Sequence, residues 1–313
     1  GFRFKPDFRW KDEGIQKILT LMVPSVIAAS AVQVNVLVNS RFASYEGAEA
    51  VTWLNSAFRL MQLPIGVFGV AVATITLPVI SRIAANTDTS RFGPTLGKAM
   101  RLAVFLTLPS AVGLWFLSGP IIGLIYEHGH FLAEDTKQTA LALQYYAIGL
   151  VAYSCIKVLS PAFYAIDRKW TPMLVSFASV ALNLALNYAF MFHFDFGHRG
   201  LALSTTICAT LNFIALYFLM MGPAKQLESG KFIGTILRCA AATVPMALVC
   251  HAILTEMPRF FSNHGTLLQA AIVAAGVTAS VAVYLGGCLL LRVEETRSAM
   301  DIVLKKLGRR RAS

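Results

Sequence analysis

Eight long runs of mainly apolar residues divide the chain, at 14–40, 50–80, 96–118, 138–166, 171–192, 200–221, 232–254 and 267–291. A helix needs about 20 such residues to cross the hydrocarbon of a bilayer. Each run exceeds strand length and none keeps a period of two. Backbone groups in lipid must bond within their own segment, so the pattern predicts an all-α polytopic membrane protein with about eight transmembrane helices. Polar stretches punctuate the runs. Residues 1–13 form a basic entry segment, and Gly119-Pro120 stops the third run, leaving Ile121–Tyr126 as a short interfacial piece. The fifth and sixth runs are joined by the short His193–Gly200 hairpin. Beyond Gly222-Pro223 the composition shifts, which divides the chain into a six-helix unit, 1–222, and a two-helix appendage with a basic tail, 223–313. Within the tail, residues 293–307 read as a short amphipathic helix at the membrane surface, or as a frayed polybasic end.

Composition supports this division. Over 313 residues, 56% are hydrophobic and 14% charged, with a mean hydropathy of +0.63. That excludes disorder, and a soluble globule of this size has no interior for so much apolar surface. The five cysteines all lie inside apolar runs without a CxxC, which fits small apolar helix residues and neither a disulfide framework nor a zinc site. The chain starts at Gly1 without a signal-peptide pattern, and the expectation is an internal start within a longer protein.

Charge sets the direction. Of the 27 Lys and Arg, twenty fall in alternate connections and the two ends, four in the opposite connections and three inside runs. This positive-inside bias predicts both ends in the cytoplasm, and it accounts for the net charge of +11 through anionic membrane lipids without nucleic acid. Trp10, Trp53, Trp115 and Trp170 all fall near expected helix ends, where indole rings favour the interface.

Polar residues inside the runs are the candidates for function, because charge in a membrane is costly. Arg59 lies about ten residues into the second run, too deep to snorkel easily, and one turn before Pro64 and Gly66, where a kink is expected. It reads as an anion site in a water-filled cavity, or as an arginine bonded to carbonyls that the kink frees. Lys157 is a second candidate cation, and Lys17 is close enough to its run's start to snorkel. Asn35 with Asn39, and Asn183 with Asn187, stand one turn apart on one helix face, and Thr205 joins them from the sixth run. They read as interhelical hydrogen-bond glue or as an ion or substrate site. No catalytic motif is present, so no enzyme and no cofactor is expected. Glu127, His128 and His130 read as a loop turn, with an outer metal site the weaker alternative.

The stretch Trp53–Ala71, with Arg59-Leu60-x-x-Leu63-Pro64-x-Gly66-Val67-x-Gly69-Val70-Ala71 at its heart and Leu77-Pro78-Val79-Ile80-Ser81 after it, strongly resembles the MurJ (MviN) family of lipid II flippases in the MOP exporter superfamily. Phe42-Ala43-Ser44, Leu108-Pro109-Ser110-Ala111, Tyr126–Phe131 and Lys157–Ala165 agree with it. The resemblance implies two six-span lobes followed by two extra helices, of which this chain matches the carboxy-terminal lobe and the extra pair. The amino-terminal lobe, with cavity arginines of its own, is then a missing partner. It also implies that Arg59 faces the central cavity and the pyrophosphate of lipid II, and that the last two helices hold the lipid tail. The function implied is movement of lipid II from the cytoplasmic to the outer leaflet of the bacterial inner membrane by alternating access. Membrane potential would then drive the cationic cavity inward, at about 2.3 kcal/mol per charge per 100 mV. Some family members bind sodium with acids where Asn39 and Asn187 stand here, beside Asn183, and the neutral amides weaken that site. Two other functions fit the same residues: export of another lipid-linked oligosaccharide or a drug, and a non-transporting scaffold that recruits cell-wall enzymes through its basic tail.

Overall fold

The computed structural model describes residues 13–86, 89–261 and 266–296. Among them the regular structure is helical throughout. In chain order the helices are α1 (Glu13–Ala43), α2 (Ala48–Pro64), a π-helical turn (Ile65–Val70), α3 (Ala71–Ala84), α4 (Phe92–Tyr126), α5 (Ala133–Ile148), α6 (Leu150–Ala165), α7 (Trp170–Phe192), α8 (Gly197–Ala224), α9 (Ser229–Phe261) and α10 (Thr266–Leu290). Among the described residues six spans are long and apolar enough to cross a bilayer, and α5 and α6 pass the same test only taken together, as a pair bent by 47°. The helix α1, 31 residues long, precedes them. The chain is a membrane protein.

The prolines shape two spans. The second span is one continuous 37-residue element, and where the kink is expected Pro64 is followed by a π-helical turn. Proline lacks an N–H and crowds the carbonyl four residues back, and a widened turn relieves both. The third span does not stop at Gly119-Pro120, and residues 121–126 are not an interfacial piece. The helix runs on to Tyr126, Ile122 is fully buried, and Gln144 donates to the Trp115 carbonyl (3.2 Å) and the Ser118 hydroxyl (3.3 Å) beside the proline. Neighbouring helices can re-satisfy backbone that a proline disturbs, so it need not end a helix inside a bundle. Trp115 therefore lies within α4 and not at its end. Trp53 is also no free interfacial ring: its Nε1 donates to Asp135 Oδ1 at 2.8 Å and the indole meets His198 edge-on. Trp170, 53% exposed at the start of α7, keeps the expected place. Trp10, the Lys17 side chain and most of 293–307 lie outside the described residues.

The central helix is α4, which packs against α3, α5, α6, α9 and α10. One apolar core joins α3, α4, α6 and α8 around Met100, Leu159, Phe163 and Leu216. A second, around Leu54, Met61, Leu143 and Leu201, joins α2, α5 and α8. A third, through Phe105, Met246 and Tyr284, seats α9 and α10 on α4, where the Tyr284 hydroxyl donates to the Phe105 carbonyl at 2.8 Å. Gly93 permits the close approach of α4 to the end of α8, because a Cβ there would lie 2.3 Å from the Ala224 carbonyl oxygen.

An ionic cluster closes the same junction. Arg101 on α4, only 5% exposed, donates to Glu228 (2.9 Å), just before α9, and to Glu295 (2.8 Å), just after α10. Glu228 also pairs with Lys231 at 2.6 Å. These hydrogen bonds, first from Lys231 and then from Arg101, hold the Glu228 carboxyl below its ordinary range.

Candidate functional site

A cavity of about 390 Å³ opens among α1, α2, the π-helical turn, α6, α7 and α8. The π-helical turn contributes Ile65, Gly66 and Val70 to its wall, and α2 contributes Phe58, Met61 and Gln62. Lys157 lines it from α6 with Tyr153 and Ile156, facing Ser176, Ser179 and Val180 of α7 and Cys208, Ala209 and Asn212 of α8. From α1 come Gln33, Asn35 and Val36. Lys157 supplies the one formal charge of this lining, and among the described residues it makes no ion pair.

Arg59 does not line the cavity. It is exposed on α2, three residues before Gln62, which does line the cavity, and residues at that spacing are neighbours on the helix surface. Among the described residues it has no hydrogen bond or ion pair, and no carbonyl freed near Pro64 takes it up. The two candidate cations are thus distinguished: Lys157 lines the cavity, and Arg59, exposed on α2, does not. Gly66 lines the cavity, and no atom lies within 4 Å of where a Cβ would project.

The amide residues converge as their spacing suggested. Asn39 Nδ2 donates to Thr205 Oγ1 at 2.9 Å and to Asn35 Oδ1 at 3.3 Å. Asn187 Nδ2 donates to Asn39 Oδ1 at 2.7 Å and to Asn183 Oδ1 at 3.0 Å. Ser204 closes the ring: its hydroxyl takes a bond from Asn183 Nδ2 at 3.3 Å and donates to Asn187 Oδ1. Asn183 and Asn187 are fully buried. This network ties α1 to α7 and α8 at one end of the cavity, whose lining includes Asn35 and Thr205. Ser204 escaped notice in the sequence because a lone serine on an apolar helix carries no periodic signal. Gln33, Gln62 and Asn212 escaped for the same reason, and the Arg101 cluster because its acids lie far from it in sequence.

The Glu127–His130 segment is a turn. Glu127 Oε2 accepts from Thr136 Oγ1 at 2.7 Å, both histidines are exposed, and no group of described His, Cys, Asp and Glu side chains is placed to hold a metal.

Long apolar helices around a polar, cation-bearing cavity define a polytopic α-helical membrane protein. Its fold matches that of a MOP superfamily transporter from Pyrococcus furiosus, with a TM-score of 0.56 at 15% identity over 90% of this chain and 66% of that one. The chain belongs to the lipid II flippase MurJ family, whose model matches residues 1–275. It is 34% identical over 217 residues to the probable lipid II flippase MurJ of Vibrio cholerae, covering 69% of this chain and 41% of that protein. It is 30% identical over 273 residues to the lipid II flippase MurJ of Burkholderia cenocepacia, covering 87% and 52%. The structure of lipid II flippase MurJ in its inward closed conformation superposes with a TM-score of 0.64 at 26% identity, over 91% of this chain and 57% of that one. The chain thus spans about half the length of the relatives it matches.

Proposed function

We propose that the chain is the carboxy-terminal half of a lipid II flippase of the bacterial inner membrane, with both of its ends cytoplasmic. It moves the undecaprenyl-pyrophosphate-linked peptidoglycan precursor from the inner to the outer leaflet once a second six-helix lobe faces it. The observation that carries this reading is an exposed Arg59, without an ion pair among the described residues, on the helix that walls a polar cavity, in a chain of the flippase family. An arginine exposed at the depth of the hydrocarbon needs an anion or water, and a pyrophosphate between two lobes supplies the first. Alternating access then follows from one lobe rocking against the other around that anion. Anionic lipids hold the basic loops on the cytoplasmic side, and α9 with α10 carries the lipid tail.

Sodium forms no step in this reading. The six side chains at the Asn187 cluster are neutral, and the amide oxygens of Asn39, Asn183 and Asn187 already accept from one another or from Ser204. A cation there would break these bonds and gain no carboxylate in return. Membrane potential is the coupling retained, acting on Arg59. Transport rates that ignore a clamped potential would remove it.

The test is translocation of lipid II in proteoliposomes, scored by its accessibility at the outer face. The chain joined to the amino-terminal half of its relatives is expected to move lipid II, and the chain alone is not. Translocation by the chain alone would replace the two-lobe reading with self-association. Failure of the joined protein on lipid II, with transport of another lipid-linked saccharide, would reassign the cargo.

A further inference from the structure

We infer that the Lys157 cavity is a second subsite, separate from the one for diphosphate, and that it takes a singly charged carboxylate carried on an amide- and hydroxyl-rich group. The inference rests on the flippase reading and assigns a part of the cargo headgroup to this cavity.

Charge supplies the first argument. The lining holds one formal charge, on Lys157, and no carboxylate. A diphosphate bound there would leave at least one negative charge uncompensated in a partly enclosed site, which is costly. A single carboxylate is balanced by one ammonium, and a charge-assisted hydrogen bond between them is among the stronger contacts available. Arg59, whose planar fork suits phosphate oxygens, stands outside this cavity.

Donor and acceptor chemistry supplies the second. A diphosphate at neutral pH presents acceptors almost alone. Asn212 contributes a buried amide oxygen that has no hydrogen-bond partner and so asks for an N–H or O–H. Gln33, Asn35 and Gln62 add further amides to the wall, and Ser176 and Ser179 add hydroxyls, although the Ser179 proton is already spent on the Val175 carbonyl at 2.9 Å. Such a mixed wall matches peptide amides and sugar hydroxyls. The volume, about 390 Å³, holds a few amino-acid or one sugar residue and not a whole headgroup. Phe58 and Tyr153 offer apolar faces for the rest.

The experiment measures binding to the complete two-lobed transporter in nanodiscs with three probes: lipid II, lipid II whose peptide carboxylates are converted to amides, and undecaprenyl diphosphate. Wild type is expected to bind lipid II about tenfold more tightly than its amidated form. Lys157→Gln is expected to abolish that preference and leave undecaprenyl diphosphate binding unchanged. Arg59→Gln is expected to weaken all three alike. Lys157 is exposed to the cavity, so its replacement should leave thermal unfolding unchanged. Equal binding of lipid II and its amidated form by wild type would overturn the inference, as would a Lys157→Gln protein that keeps the preference or loses undecaprenyl diphosphate. A folded wild type that binds none of the probes would instead overturn the flippase reading itself.

Discussion

Asn187 is where three helices meet. It donates to Asn39 of α1 and Asn183 of α7, and accepts from Ser204 of α8. One hydrogen bond between transmembrane helices is worth about 0.6 kcal/mol on average. Removing Asn187 does more, since it strands buried partners, and each orphaned group costs about 1–3 kcal/mol. Asn187→Leu should therefore destabilise the lobe by roughly that amount, seen as a lowered Tm in detergent. An unchanged Tm would show that the network carries no net stability. The convergence of Asn35, Asn39, Asn183, Asn187 and Thr205 was legible in the sequence because paired amides at i, i+4 declare a shared face. Ser204 was not, since a hydroxyl on an apolar helix most often bonds its own backbone; here its one proton is shared between the Asn187 oxygen and the Leu201 carbonyl at 2.9 Å.

At the scale of the element, apolar length found the long helices, but it did not show the break at Gly149 that divides the fourth run into α5 and α6, and it misjudged Pro120. Pro120 reads as a stop in sequence, yet Ile122 is buried and α4 continues, because Gln144 of a neighbouring helix supports the disturbed turn. The Arg101 cluster was equally hidden, as Glu228 and Glu295 lie more than a hundred residues away in sequence. It fastens the α9–α10 pair to the six-helix unit. Arg101→Met leaves Glu228 with Lys231 alone and strips the buried Glu295 of its arginine, and removing one partner of a buried pair costs about 3–5 kcal/mol. The expected result is loss of protection from proteolysis in α9 and α10 before the rest; uniform protection would contradict it. The depressed Glu228 fixes the sign with pH. Its contribution is present above the ordinary carboxylate range and is lost as pH falls through the lowered folded value. Acid should thus loosen this junction, and Glu228→Gln should remove that part of the pH dependence, read as Tm against pH.

For the whole molecule, the chain spans about half the length of its relatives. Arg59 is exposed on α2, the helix whose Phe58, Met61 and Gln62 wall a polar cavity. The arginine was conspicuous in the sequence because nothing acidic shares its depth. That it stands outside the cavity while Lys157 stands inside was not, because spacing along α2 and α6 cannot say which faces turn to each other.

The measurement that bears most directly on the central claim is rescue of cells depleted of their own flippase by the complete two-lobed transporter, with Arg59 intact or changed to Ala, at equal membrane abundance. The intact protein should restore growth and Arg59→Ala should not, with lipid II accumulating in the inner leaflet. Equal rescue by both would contradict Arg59 as the anion site.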